Sequence, residues 1–277
     1  MALRSVIFYF SQSGNTKKFA EKIKEGLSNG EHTCELIRFK KLKDDIKLIK
    51  NFNFSKYNLI GFGIPVYYFK PPFHILDILE ALPSLQGKNG FLFCTSGGNP
   101  GATLHKMNVI TDKKGLKIID SNDQFIGLDK HQLYRDFDFT LPSSIGHPTE
   151  EELEKAREFG IQLIKKALNS NTPEKTDFWT KESDFAKMTS FEGLNEQFPK
   201  IKLNEDKCIQ CGKCAETCPV DAIILDPYPR WIKDCDRCYI CEMWCPEQAI
   251  ECDWNWQVEV MNSLMRKKGY TPKRRKK

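Results

Sequence analysis

The first half of the chain alternates short apolar runs with stretches of helical period. Leu3–Phe10 ("LRSVIFYF") is almost continuously apolar and rich in β-branched and aromatic residues, which predicts a strand covered on both faces. After a polar break, Phe19, Ile23 and Leu27 recur four apart. Lys17, Lys18, Glu21, Lys22, Lys24 and Glu25 fill the opposite face, so this stretch predicts an amphipathic helix. Further apolar runs follow at Cys34–Phe39, Tyr57–Pro65, Gly90–Ser96 and Gly115–Leu128, with helices predicted near 73–81 and 102–113. A last helix begins at Thr149, whose spacing to Glu152 is that of a capping box, and Leu153, Ala156, Gly160, Leu163 and Ala167 form its apolar face. Strands alternating with helices predict a doubly wound parallel sheet of five strands, and such sheets bind ligands at the carboxyl ends of their strands.

The loops at those ends hold the candidate chemistry. "SQSGNT" sets Ser11, Gln12, Ser13, Asn15 and Thr16 around Gly14 at the entry to the first helix, where free backbone N–H groups make an anion site. No GK(S/T) lysine follows, so a phosphate here meets neutral donors, which suits a permanently held monophosphate. "GFGIPV" is only a broken GxGxxG and does not indicate a dinucleotide site.

"SQSGNTKK" after an apolar strand resembles the phosphate loop of the flavodoxins, FMN-binding electron carriers with the pattern (T/S)x(T/S)GNT there. The resemblance extends to Pro65, Val66, Tyr67 and Tyr68, where a tyrosine would cover a flavin face, and to a third ligand loop at Thr95, Ser96, Gly97, Gly98 and Asn99. It implies FMN as cofactor. Two features depart from the pattern: the third loop has no aromatic ring, and "KFAEKIKEG" is basic. The second flavin face is therefore expected to be open or shielded by another part of the chain, with Lys130–Pro142 a candidate cover. The five histidines show no catalytic partner and are read as structural.

From Asn169 to about Lys200 the chain is polar without sustained period and reads as a linker docking partly on the first domain. Beyond it, Cys208, Cys211, Cys214 and Cys218 recur 27 residues later as Cys235, Cys238, Cys241 and Cys245, and Pro219, Ala222 and Ile223 recur as Pro246, Ala249 and Ile250. This is a duplicated unit. A CxxCxxC loop brings three thiolates to one cubane while the cysteine before proline reaches the other. One 4Fe–4S set is then Cys208, Cys211, Cys214 and Cys245, and its partner is Cys235, Cys238, Cys241 and Cys218. Zinc sites generally use two separated CxxC or CxxH pairs, a different spacing. Residues 201–253 resemble the bacterial two-cluster ferredoxins, small α+β proteins. A unit of this size has little core, so its clusters are expected to supply much of its folding energy. Trp244, Trp254 and Trp256 lie near the second motif as candidate shields.

Composition completes the picture. Of eleven cysteines eight fall in the two motifs, which points to metal rather than disulfides and leaves Cys34, Cys94 and Cys252 as packing residues. The net charge of +5 comes from Arg266–Lys277, where eight Lys and Arg meet no acid; the remainder carries −3. That end reads as a solubilising tail rather than a nucleic-acid interface. The start shows no secretory pattern and no run approaches the roughly 18 apolar residues that cross a bilayer, so a cytoplasmic location is expected.

The expected organisation is an FMN domain over 1–168, a linker over 169–200, a ferredoxin domain over 201–255 and a basic tail over 256–277. The combination resembles flavodoxin and ferredoxin fusion proteins of anaerobes and implies electron transfer between clusters and FMN, with a redox protein or enzyme as partner. The alternative is an FMN-dependent reductase of a small organic substrate, fed by its own clusters.

Overall fold

The computed structural model describes residues 2–128, 144, 146–169, 178, 190–232, 235–259 and 263. Segment 130–142, most of the expected linker and the basic tail Arg266–Lys277 lie outside these residues. Strands β1 (Arg4–Tyr9), β2 (Thr33–Arg38), β3 (Leu59–Pro65), β4 (Lys88–Ser96) and β5 (Leu116–Ile126) form a parallel sheet in the order β2-β1-β3-β4-β5. This is the flavodoxin-like doubly wound arrangement, with strand order reversing between β1 and β3.

Successive residues of β1 enter opposite cores, as the two-residue period of a strand requires. Val6 and Phe8 pack with α3 (Phe73–Glu80) and α4 (Thr103–Lys113) through Ile75, Ile78, Leu79, Leu104 and Met107. Ile7 and Tyr9 pack on the other face with α1 (Asn15–Leu27) and α5 (Glu150–Leu168) through Phe19, Ile23, Leu27, Leu153, Ala156 and Leu163. The capping box of α5 is present: Thr149 accepts from the Glu152 N–H and the Glu152 side chain accepts from the Thr149 N–H.

Two helices were not expected from the sequence. The first, α2 (Leu42–Asn51), buries Ile49 under a lysine-rich surface. The second, α6 (Phe191–Gln197), falls within the stretch read as linker; Ser190 caps it and Leu194 is buried. The two glycines of "GFGIPV" also acquire a structural reason. Gly61 and Gly63 lie on β3 opposite Phe91 and Phe93 of β4, and a Cβ at either would collide with the facing ring.

The C-terminal region is small. β6 (Ile201–Leu203) pairs antiparallel with β9 (Ile250–Cys252), and β7 (Ile223–Leu225) with β8 (Pro229–Trp231). The short helices α7 (Lys213–Thr217) and α8 (Ile240–Met243) complete it. Its apolar cluster consists largely of thiols, Cys214, Cys218, Cys235 and Cys241, joined by Ala222, Ile223 and Ile250. Cys238 and Ile240 instead pack with Phe10 and Ile75 in the core on the α3 side of the sheet. No helix among the described residues is long and apolar enough to cross a membrane.

Helices α1 and α5 cross at Gly26 and Gly160, where an added Cβ would strike the backbone carbonyls of Arg157 and Ile23 respectively. A carbonyl cannot move aside as a flexible side chain can. Gly160→Val is expected to destabilise the sheet domain by about 1–3 kcal/mol or more, read as a lower denaturant midpoint; an unchanged midpoint contradicts this packing.

Candidate functional site

Three loops converge where β1, β3 and β4 end. In the first, Gly14 adopts φ 98° at the N-cap of α1, a left-handed conformation that suits glycine, with nothing within 4 Å of where a Cβ would sit. No side chain caps this helix end. Ser11 Oγ accepts from the Lys17 N–H at 3.2 Å, and the first N–H groups of any α-helix lack partners within the helix itself. The loop is braced from within. Thr16 and Thr95 share a buried hydroxyl hydrogen bond of 2.8 Å, and Asn15 Nδ2 donates to Ser13 Oγ at 3.1 Å and Leu128 O at 2.9 Å. Arg38 donates to the Ser11 carbonyl at 3.0 Å, placing a cation beside a loop that the sequence reading had furnished only with neutral donors.

Val66 ties the second loop to the third by donating its N–H to Thr95 O at 2.8 Å. A tight turn then closes between Tyr67 and Lys70, with Tyr68 at φ 52° and Phe69 at φ 63°. Two consecutive left-handed non-glycine residues cost about 1–2 kcal/mol each, and strain of this kind gathers at ligand-binding turns. The two tyrosines separate here. Tyr67 packs edge-on against Phe10, with ring centroids 6.5 Å apart, whereas Tyr68 stands against Phe198 at 4.8 Å and donates its hydroxyl to Arg237 O at 2.7 Å. Of the pair, Tyr68 is thus engaged with the C-terminal region. In the third loop Thr95 and Ser96 are buried while Gly98 and Asn99 are exposed.

The cysteine loops repeat in backbone as well as sequence. Gln210, Gly212 and Asp221 have φ of 54°, 71° and 51°, and the residues 27 further on, Arg237, Tyr239 and Gln248, have φ of 52°, 53° and 51°. Left-handed residues inside each CxxCxxC loop curl it so that successive N–H groups face one point, the geometry of an anion nest. The fourth cysteines match too: Ala222 N–H donates to Cys218 Sγ at 3.3 Å, and Ala249 N–H to Cys245 Sγ at 3.2 Å. Cys208, Cys211, Cys214 and Cys245 line one cavity. In the second set, Cys218, Cys235 and Cys241 belong to one buried cluster, while Cys238 packs with the core on the α3 side of the sheet. All eleven cysteines are free.

Burial pushes the thiols of Cys218, Cys235, Cys238 and Cys241 upward. Buried neutral thiols are poor ligands, so this donor set fits a group whose own positive charge keeps them as thiolates.

Residues 7–118 match the family model "Flavodoxin" and residues 201–224 the model "4Fe-4S binding domain". The chain joins a flavodoxin domain to a 4Fe–4S binding domain. It is thus a flavin and iron–sulfur redox protein. Similar solved structures include a flavodoxin from the domain Archaea, 20% identical over 60% of this chain and 100% of that one, with a TM-score of 0.41. The two-electron reduced flavodoxin of Megasphaera elsdenii is 18% identical over 57% of this chain and 98% of its own, with a TM-score of 0.39. A flavoprotein in complex with FMN from Lactobacillus acidophilus NCFM is 25% identical over 44% of this chain and 94% of its own, with a TM-score of 0.33. The fold assignment rests on sheet order and the two family matches, not on these likenesses. No curated protein matches the chain.

Within the flavodoxin domain the structure brings Ser11, Ser13, Thr16, Val66 and Thr95 together, joined by the bonds above, and turns two predicted residues elsewhere. Tyr68 is one and Gln12 is the other: its Nε2 donates to the Cys238 carbonyl at 3.0 Å, and its own carbonyl accepts from Trp244 Nε1 at 3.2 Å. Trp244, read from sequence as a cluster shield, therefore sits on the phosphate loop. Trp254 stacks obliquely on buried Tyr239 at 4.6 Å, and Trp256 is exposed. Arg38, Lys41 and Asp236 also bond at or near the site and carry no sign of it in the sequence. His74, taken as structural, is buried with its Nδ1 2.7 Å from Asp236 Oδ2 in the 4Fe–4S domain. None of these four has local periodicity or motif spacing that marks it.

Ser13→Ala in the FMN-loaded protein is expected to weaken flavin retention by about 0.5–1.5 kcal/mol, the value of one neutral hydrogen bond. Gly14→Val is expected to weaken it further, since a branched side chain must hold the left-handed backbone. Flavin occupancy after dialysis, read by absorbance, checks both; undiminished occupancy in both variants contradicts the cradle.

Proposed function

We propose that this protein relays electrons between two 4Fe–4S clusters and FMN, coupling one-electron carriers to a flavin. On this reading residues 1–168 hold the flavin, 169–200 connect, 201–255 hold the clusters, and 256–277 form a basic extension. Bound FMN accepts one or two electrons and each cluster passes one, so the pairing converts between the two currencies.

The work of the chain is binding and positioning. Backbone N–H groups at the start of α1, with the hydroxyls of Ser11, Ser13 and Thr16, suit the flavin phosphate, and Arg38 adds a cation at the edge of that loop. Pro65, Val66 and Tyr67 on one side and Thr95 to Asn99 on the other would bracket the ring. Cys208, Cys211, Cys214 and Cys245 would hold one cluster and Cys235, Cys238, Cys241 and Cys218 the other. The common cavity of the first set supports this division. So does the recurrence of left-handed residues at matching places, because both loops then present their N–H groups to sulfur in the same way.

The observation that carries the reading is Gln12. Its main chain belongs to the phosphate loop and its side chain holds the carbonyl of Cys238, 3.0 Å away. A flavin loop and a cluster loop are thus adjacent through one residue, and proximity within one chain replaces diffusional encounter.

A second reading, an FMN-dependent reductase of a small organic substrate, is favoured by the third loop, where Gly98 and Asn99 are exposed and no ring stands. Anaerobic reductive titration followed by rapid mixing tests the first. The flavin and cluster absorbances are expected to relax together at a rate independent of protein concentration. Cofactors that titrate without exchanging electrons contradict the relay, and fast saturable oxidation by quinones, enones or nitro compounds selects the second reading.

A further inference from the structure

The seam between the flavodoxin and 4Fe–4S domains is uneven. Lys41 Nζ donates to Ala215 O at 2.9 Å, Cys218 O at 2.8 Å and Asp221 Oδ1 at 2.6 Å, and the adjacent Leu42 N–H donates to Pro219 O at 2.7 Å. The His74 N–H donates to Asp236 Oδ2 at 3.2 Å, and its Nδ1 lies 2.7 Å from the same oxygen. Tyr68 reaches Arg237 O and Gln12 reaches Cys238 O, while Trp244 returns a bond to Gln12. These bonds land on two stretches of the 4Fe–4S domain, 215–221 and 236–244. Those stretches contain Cys218, Cys238 and Cys241, three of the four thiols of one cluster set, and none of the other set, whose Cys214 and Cys245 only flank them.

None of the four cysteines of the other set bonds across this seam among the described residues. Cys211 is exposed, Cys208 and Cys245 are half-buried, and their cavity is also lined by Ile209 and Leu225, apolar side chains 62% and 45% exposed. Cys218, Cys235, Cys238 and Cys241 are all buried, whereas in the other set only Cys214 is.

We propose that the two cysteine sets are ordered. The set Cys218, Cys235, Cys238 and Cys241 is the inner one, held against the FMN loops; the set Cys208, Cys211, Cys214 and Cys245 is the outer one, open to solvent. Gln12, Lys41 and His74 are the positioning residues that fix this order. The proposal rests on the relay reading but concerns placement, not turnover. Electron transfer falls steeply with separation, so a dock that holds one set against the flavin and leaves the other in solvent imposes a single path. Lys41 matters most: three acceptors from one loop converge on one ammonium, and one of them is the carbonyl of a proposed ligand residue.

The test uses the full chain, loaded anaerobically with FMN and iron and reduced, with a dysprosium chelate as a soluble paramagnetic probe. Paramagnetic resonance reads how strongly the probe speeds the relaxation of each cluster signal. One signal is expected to respond several-fold more than the other. Cys211→Ser should alter the responsive signal and Cys238→Ser the protected one. Because a ligand substitution can prevent folding, a second arm leaves the cysteines intact: Lys41→Glu should expose the protected signal to the chelate, and adding Asp221→Lys should restore protection. Equal response of both signals, assignment of the protected signal to the Cys211 set, or unchanged protection in Lys41→Glu overturns the order. These outcomes are separate from the relay itself, which fails if a protein holding both cofactors does not exchange electrons.

Discussion

Four of the seven buried residues in the central cluster of the 4Fe–4S domain are thiols, and the other three are Ala222, Ile223 and Ile250. Cys214, Cys218, Cys235 and Cys241 pack on one another with only a few aliphatic residues, and burial raises every one of their pKa values. Such an interior would gain stability when the thiols release their protons to water and bind a shared cationic group as thiolates, which would couple metal binding to folding. The left-handed residues at 210, 212 and 221, repeated at 237, 239 and 248, belong to the same constraint. They curl the backbone around a centre that the side chains alone do not fill.

The larger domain is built the other way. Its sheet buries two conventional apolar cores, and its ligand loops lie at the carboxyl ends of strands, braced by bonds such as Thr16 to Thr95 and Asn15 to Leu128. The two parts meet through polar contacts at Gln12, Lys41, Tyr68 and His74 and through Cys238 and Ile240, which share a core with Phe10 and Ile75. A polar seam on an apolar patch favours one orientation, because each carbonyl or carboxylate must find its donor. Linking two redox units raises their mutual concentration, and docking them converts that into a fixed distance.

Much of this was legible in the residues. The strands β1, β3 and β4 are buried on both faces and read as unbroken apolar runs, while the edge strands β2 and β5 are only partly buried and show shorter ones; the Thr149 capping box and the 27-residue repeat are local patterns that need no tertiary knowledge. Helix α2 was missed because Leu42, Ile46 and Ile49 form a thin stripe among lysines and aspartates. The seam was invisible for a different reason. Gln12 and Cys238 are separated by 226 positions, and a lone glutamine, lysine or histidine carries no sign of the partner it will meet after docking. Gln12 was therefore assigned to the phosphate, its nearest chemistry in sequence. The left-handed φ of Gln210 and Arg237 was equally hidden, since neither is glycine and the strain is imposed by the loop around it.

The central claim is that one polypeptide holds a flavin and two polynuclear iron centres. Iron, acid-labile sulfide and flavin counted in the same anaerobically purified sample test it most directly. The account predicts about eight iron and about eight sulfide, from two cubanes of four each, with one FMN per chain. Zinc in place of iron, a single cluster's worth of iron and sulfide, or a colourless protein prepared with iron supplied and oxygen excluded would contradict it.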